Sequence, residues 1–196
     1  MSSPRRPSGA LPRISEASLY SHLVTRPTGR AVREEIEREL RDWEGPAVTV
    51  VDLRNVPVID FSCADEVVAK LVCAGLAGGG ARRSERFYLF TGLEEHHLDP
   101  VESSLHRRSL AAAAERVDGT PCLLGRVEPG SRRVWAHVVR AGRVRPESLV
   151  PDELTSVEQA RHALEELHAR RLLVRLAGEY LSLRAAADAT PDGGAR

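Results

Sequence analysis

The sequence predicts an α/β domain, a sheet flanked by helices, followed by a small α+β module. The apolar run at residues 48–51 has the composition of a strand that is covered on both faces, as in a parallel sheet, and residues 87–90 form a second clear strand. Helical stretches alternate with these runs, which is typical of strands joined by helical crossovers. After the Glu-Pro-Gly sequence at 128–130 the alternation stops, and a mostly helical stretch ends in a hairpin.

Composition restricts the classes of function. The 28 basic and 28 acidic residues of this 196-residue chain balance, so no overall charge attracts nucleic acid or an anionic membrane. The three cysteines form no Cys-x-x-Cys pair, no signal peptide is apparent, and no apolar run has the length of a membrane span. Among the basic residues only Lys70 is a lysine, which is typical of GC-rich bacterial genomes. We expect a cytoplasmic bacterial protein.

The N-terminal part of the chain is predicted to contain a tail, a weak strand and a helix. Residues 1–13, rich in Ser, Pro and Arg, have the composition of a disordered tail. Residues 14–25 have weak strand character. A helix is predicted over residues 29–43 with Thr28 as its N-cap. Its apolar positions recur at helical spacing and form one stripe: Val32, Ile36, Leu40 and Trp43.

Residues 48–75 are predicted to form a strand, a loop and a helix. Asp52 ends the apolar strand, and Pro57 excludes a central ladder position for the residues around it. The helix is predicted to begin at residues 60–62 with Ser62 as its N-cap. Asp65 and Glu66 fall in its first turn, where the helix dipole favours carboxylates, and we expect both to be solvated. A serine hydroxyl would then lie at a helix N-terminus.

The run VVDLRNVPVIDFSCADEVVAKL resembles the STAS domain, the fold of sulfate transporters and anti-sigma-factor antagonists. Regulatory members carry Asp-Ser-Ser-Gly at this helix start, and a kinase-type anti-sigma factor phosphorylates the second serine. Asp60 and Ser62 match the pattern, whereas Phe61 and Cys63 depart from it. The resemblance covers residues 18–127, of which 48–75 are specific, and the STAS-like domain is assigned to residues 14–127.

The resemblance implies a protein that docks a signalling partner, a kinase-type anti-sigma factor or a sensor component. Ser62 would be the candidate phosphoacceptor. The partner-binding residues would be Asp60, Ser62, Asp65 and Glu66.

Three further elements are predicted before the module. Residues 87–90 form the second clear strand, and a helix is predicted over residues 99–115, including the alanine run at 111–114. Residues 121–124 are a short last strand.

The module at 128–185 is similar to a winged helix-turn-helix. Short helices are predicted around Trp135 and over residues 148–154, and a capping box with Thr155 as N-cap and Glu158 at N3 begins a third. Residues 172–175 and 179–183 have the pattern of a hairpin. Residues 186–196 are predicted to be a disordered tail.

DNA binding by this module is left open at the sequence level. Polar side chains of the third helix would face a major groove, and arginines near the hairpin would contact phosphates. Glu158, Glu165 and Glu166 on the same helix would repel phosphate, so a purely protein-binding role is equally compatible with the sequence. The candidate DNA-binding residues are Gln159, Arg161, His162, Arg170, Arg171 and Arg175.

No catalytic or cofactor-binding motif is present. His96 and His97 are adjacent and lack metal-ligand spacing, and no glycine-rich phosphate loop or nucleophile elbow occurs. We therefore predict a non-enzymatic regulatory protein without metal or cofactor. The alternative is a DNA-binding transcription regulator with the STAS-like part as sensor or dimerisation module. The oligomeric state is left open.

Overall fold

The fold is built on a five-stranded sheet with the order β1-β2-β3-β4-β5. The computed structural model describes residues 13–18, 22–41, 43, 45–77, 85–149 and 156–189. The first four strands are parallel, and the last is antiparallel to its neighbour. The strands are β1 (Arg13–Ser18), β2 (Ala47–Asp52), β3 (Arg86–Leu93), β4 (Ala111–Arg116) and β5 (Pro121–Gly125).

One face of this sheet is covered by the helices that connect its strands. Alternate strand residues, among them Val51 and Phe90, pack with apolar side chains of these helices in one core. The helices are α1 (Arg26–Glu39), α2 (Phe61–Ala64), α3 (Lys70–Ala77) and α4 (Glu95–Arg107), and a π-helical segment (Asp65–Ala69) joins α2 to α3.

Within the described residues, the C-terminal module consists of four helices and a second sheet of three strands, with the order β6-β8-β7. Both strand pairs in this sheet are antiparallel. Its elements are α5 (Pro129–Ala141), β6 (Arg143–Val144), α6 (Pro146–Leu149), α7 (Val157–Ala169), β7 (Leu173–Leu176), β8 (Glu179–Ser182) and α8 (Leu183–Asp188).

The module packs directly on the other face of the large sheet. Val48, Val50, Phe87 and Leu89 point toward it and share one core with its apolar side chains. Because strand side chains alternate between the two faces, β2 and β3 contribute to both cores. This explains why their sequences are continuous apolar runs.

The structure confirms the mixed α/β class and the two strands predicted at 48–51 and 87–90. The alanine run at 111–114 is β4 and not part of a helix, because it pairs with β3 on one side and β5 on the other. Residues 186–188 of the predicted tail at 186–196 belong to α8, and Ala186 and Ala187 are buried. Of the tail predicted at 1–13, Arg13 belongs to β1 and residues 1–12 lie outside the described residues, as do 190–196. The predicted cap Thr155 also lies outside them, and Ser156 is the N-cap of α7.

Candidate functional site

The start of α2 is organised by Asp60. Its carboxylate accepts a hydrogen bond from the backbone N–H of Cys63 at 2.7 Å, which makes Asp60 the N-cap. The hydroxyl of Ser62 donates to both oxygens of the same carboxylate, at 2.9 and 3.0 Å. The prediction that Ser62 is the N-cap is therefore wrong, because the carboxylate two residues earlier occupies that position. Ser62 is half-buried, and its hydroxyl proton is committed to Asp60.

Backbone contacts fix this helix start against α1. The N–H of Asp60 donates to the carbonyl of Leu23 at 2.8 Å, and Leu23 forms a parallel bridge with Ile59. The thiol of Cys63 lies 2.8 Å from the carbonyl oxygen of Thr25, which is the N-cap of α1 in place of the predicted Thr28. Burial raises the pKa of this thiol, which favours the protonated form that donates to the Thr25 carbonyl.

Two buried carboxylates lie directly behind this helix start, in the π-helical segment. Asp65 is 5% exposed and Glu66 is fully buried. Arg108 binds Asp65 through two nitrogens, at 2.7 and 3.1 Å. Lys70 binds Glu66 at 2.6 Å, and Arg26 donates to both acids, at 3.2 and 2.9 Å.

The expectation that Asp65 and Glu66 are solvated is wrong. Adjacent residues on a helix point to different sides, but this helix lies between α1 and α4. One carboxylate therefore meets Arg108 at the end of α4, and the other meets Arg33 of α1, whose Nε is 3.5 Å from Glu66. A buried acid is tolerated only where cations compensate it, and here four cations do so.

These contacts keep both acids ionised. Hydrogen bonds from Arg108 lower the pKa of Asp65 most, with Arg26 adding to the effect. Burial alone would raise the pKa of Glu66, but hydrogen bonds from Lys70 and Arg26 outweigh it and hold the pKa below its ordinary value. Carboxylates engaged in this way stiffen the helix start and are not placed to act as proton acceptors. As partner-binding residues they would act only indirectly, through the position of residues 60–62.

Sequence inspection missed the cations of this cluster. The pair Glu66 and Lys70, four residues apart, was the one local signal. Arg26 and Arg108 are separated from the acids by about 40 residues in the chain. Arg107, next to Arg108, lies over the ring of Phe61 with its guanidinium carbon 5.8 Å from the ring centre.

The candidate DNA-binding residues fall into two groups. Gln159, Arg161 and His162 are exposed on α7. The arginines are paired with carboxylates: Arg161 with Glu147, Arg170 with Glu166, Arg175 with Glu165, and Arg171 with Glu85.

Arg171 is the one candidate in this set that the structure turns inward. Its side chain is 12% exposed and pairs with Glu85, which does not favour the predicted contact with phosphate. The left-handed backbone at Arg171, with φ of 61°, directs the chain from α7 into β7 against the large sheet.

No group of three or more His, Cys, Asp or Glu side chains within the described ranges is arranged to hold a metal ion. None of the helices in this part of the chain is both long and apolar enough to cross a lipid bilayer. No protein-family model and no curated protein matches the chain. The similarity of residues 48–75 to the STAS domain therefore stays a prediction.

Proposed function

We propose that the protein is a non-enzymatic regulator whose STAS-like part docks a signalling partner through the start of α2. The partner class that the resemblance implies is a kinase-type anti-sigma factor or a sensor component. The C-terminal module would transmit the signal of partner binding. Its order of elements, α5-β6-α6-α7-β7-β8, and its sheet order support a winged helix-like arrangement.

One observation carries the proposal: Phe61 and Ser62 are partly exposed on a helix start that is held from behind by the buried carboxylates Asp65 and Glu66. Rigid surfaces bind partners at a lower entropic cost than mobile ones. An aromatic ring with an arginine above it, as in the pair Phe61 and Arg107, is a composition enriched at protein interfaces. The π-helical segment that follows α2 also supports the proposal, since such segments occur frequently at functional sites.

Phosphorylation of Ser62 would alter this surface directly. The hydroxyl proton that Ser62 donates to Asp60 would be lost, and a phosphate with about two negative charges would lie beside that carboxylate. The two groups would repel each other, so the N-cap of α2 would be weakened and the docking surface changed. A modification at this residue is thus expected to release a partner.

The test is photo-crosslinking in the cells that make the protein. A crosslinking residue replaces Phe61 or, as a control, Val117, which is 59% exposed in the turn between β4 and β5. We expect an ATP-binding protein of the kinase class to be captured from position 61 and not from 117. Ser62→Glu should abolish this adduct, and Ser62→Ala should retain it. Capture of the same proteins from both positions, or an adduct insensitive to Ser62→Glu, would contradict the proposal.

DNA binding is the second candidate function, and the winged helix-like order of the module favours it. The ion pairs around α7 do not favour it as the contact surface. Glu147, Glu165 and Glu166 already compensate three arginines in and after this helix, which are Arg161, Arg170 and Arg175. A gel shift with the full chain at low salt tests this function.

A further inference from the structure

The arginines of the module are concentrated in one short stretch. Residues 126–146 contain six arginines and a single acidic residue, Glu128, in a chain with no net charge. Arg132 of this stretch is used internally, because its guanidinium donates to the carbonyls of Leu123 and Gly125. Four others lie on the exposed surface of α5 and β6, and we call them the α5–β6 arginine face: Arg133, Arg140, Arg143 and Arg145.

The backbone of α5 and the turn into β6 place these four side chains on the surface. Arg133 and Arg140 are seven residues apart, two turns of α5, and thus lie on the same side of the helix about 10 Å apart along its axis. Gly142, with φ of 75°, turns the chain into β6, the edge strand of the small sheet. Val144 is buried, so Arg143 and Arg145 project from the opposite, solvent side of the strand.

This face keeps an excess of positive charge. Glu179 contacts both Arg143 and Arg145, at 3.6 and 3.1 Å, so one negative charge compensates two positive charges only in part. Neither Arg133 nor Arg140 has an ion-pair partner among the residues that the structure describes. Asp188 lines the same cavity as Arg140, but its contact, at 3.7 Å, is with Arg184. By contrast, each of the candidate arginines in and after α7 has its own carboxylate.

We propose that the α5–β6 arginine face binds the phosphate backbone of double-stranded DNA without reading its sequence. Arginine guanidinium groups match phosphate geometry, and a span of about 10 Å covers roughly three nucleotide steps of one strand. Base reading requires polar groups that enter a groove, and the exposed position between Arg133 and Arg140 in α5 is Ala136, with His137 half-buried beside it. A membrane is the weaker fit, because the exposed large apolar residues of the described part lie elsewhere: Val24, Val58, Leu76 and Val117.

The test is fluorescence anisotropy of a labelled DNA duplex titrated with the full chain at salt concentrations between about 50 and 200 mM. The four arginines of the face, less the one charge that Glu179 compensates, should make about three net phosphate contacts. A plot of the logarithm of the binding constant against the logarithm of the salt concentration should then have a slope of about −3. The double substitution Arg133→Gln with Arg140→Gln should reduce the magnitude of this slope by about 2. Duplexes of unrelated sequence should bind equally.

Two controls separate this proposal from its alternatives. The lysine pair, Arg133→Lys with Arg140→Lys, should keep the salt slope, and Arg161→Gln with Arg175→Gln on the α7 side should leave binding unchanged. Thermal unfolding verifies that each variant is folded. Absence of binding at low salt, a larger loss from the α7 variant, or binding to phosphatidylserine vesicles without binding to DNA would each overturn the proposal. None of these results depends on the partner that α2 docks, which the crosslinking experiment tests separately.

Discussion

Arg171 and Glu85, 86 residues apart in the chain, form an ion pair that joins the C-terminal module to the beginning of β3, with 2.9 Å between Nη1 and Oε1. The guanidinium also lies over the ring of Phe87, 5.5 Å from its centre, and donates to the carbonyl of Gly75 at 3.4 Å. His168 contacts the same Glu85 oxygen at 3.3 Å. The two parts of the protein are therefore connected by polar contacts as well as by a shared apolar core.

The first prediction concerns this contact. Arg171→Ala should lower the free energy of unfolding by about 1–3 kcal/mol, because it leaves Glu85 without its arginine and removes the cation over the Phe87 ring. Arg175→Ala is the matched control, since Arg175 is exposed and pairs with Glu165 at the surface, and its loss should cost less than about 1 kcal/mol. Urea unfolding of both variants provides the comparison. Equal losses would mean that Arg171 does not join the two parts.

The second prediction concerns acid stability. The folded-state pKa of Asp65 and of Glu66 lies below the ordinary value, so their contribution to stability is present above the unfolded pKa values, about 3.9 and 4.3. This contribution is lost as the pH falls through the lower folded-state values. Asp65→Asn should destabilise the protein at pH 7 by about 3 kcal/mol and reduce the loss of stability on acidification.

The control for this prediction is Asp99→Asn on the exposed side of α4. It should leave both the stability and its pH dependence nearly unchanged. Urea midpoints measured from neutral to acidic pH test the pair of variants. If Asp65→Asn kept the full pH dependence of the natural sequence, the ionisation of Asp65 would not contribute to the acid sensitivity of the fold.

The third prediction separates backbone strain from steric overlap at two glycines. Gly119 and Gly125 have nearly the same positive φ, 82° and 83°. A Cβ at Gly119 meets open space, whereas one at Gly125 would lie 2.3 Å from the carbonyl oxygen of Leu110. Gly119→Ala should cost about 1 kcal/mol from φ alone, and Gly125→Ala should cost a further 1–3 kcal/mol or so. Thermal unfolding measures both, and equal costs would contradict the close approach at Gly125.

The fourth prediction concerns the boundary between the part built on the large sheet and the C-terminal module. A fragment ending at residue 127 would expose the sheet face that the module covers, including Val48, Val50, Phe87 and Leu89. We expect this fragment to aggregate or to bind an apolar dye, and the full chain to unfold in one transition. A monomeric fragment with the stability of the full chain would show that the shared core is not required.

Two strands of the sheet, β2 and β3, could be predicted from the sequence because their signal is local. Residues 48–51 and 87–90 are continuous apolar runs for the reason that both faces of β2 and β3 are covered. The alanine run at 111–114 could not be assigned in the same way. Alanine favours a helix intrinsically, and only pairing with β3 and β5, which are distant or later in the chain, makes this segment a strand.

The candidate site could be predicted only in outline. The motif at residues 60–62 indicated a helix start with a serine, which is correct, but a cap at Asp60 and a cap at Ser62 are both compatible with the sequence. Burial of Asp65 and Glu66 depends on α1 and α4 lying on either side of them, and on Arg26 and Arg108, which no local pattern connects to the acids. Charge pairing over such separations is a property of the folded chain.

The π-helical segment at Asp65–Ala69 determines which way residues 60–62 face. Each residue of an α-helix advances the chain by about 100° around the axis, so a widened turn that holds one additional residue offsets everything before it by that angle. Deletion of a single residue within the segment would rotate Ser62 and Phe61 by about a quarter of a revolution relative to the sheet. The orientation of the helix start is thus encoded by the length of the segment behind it.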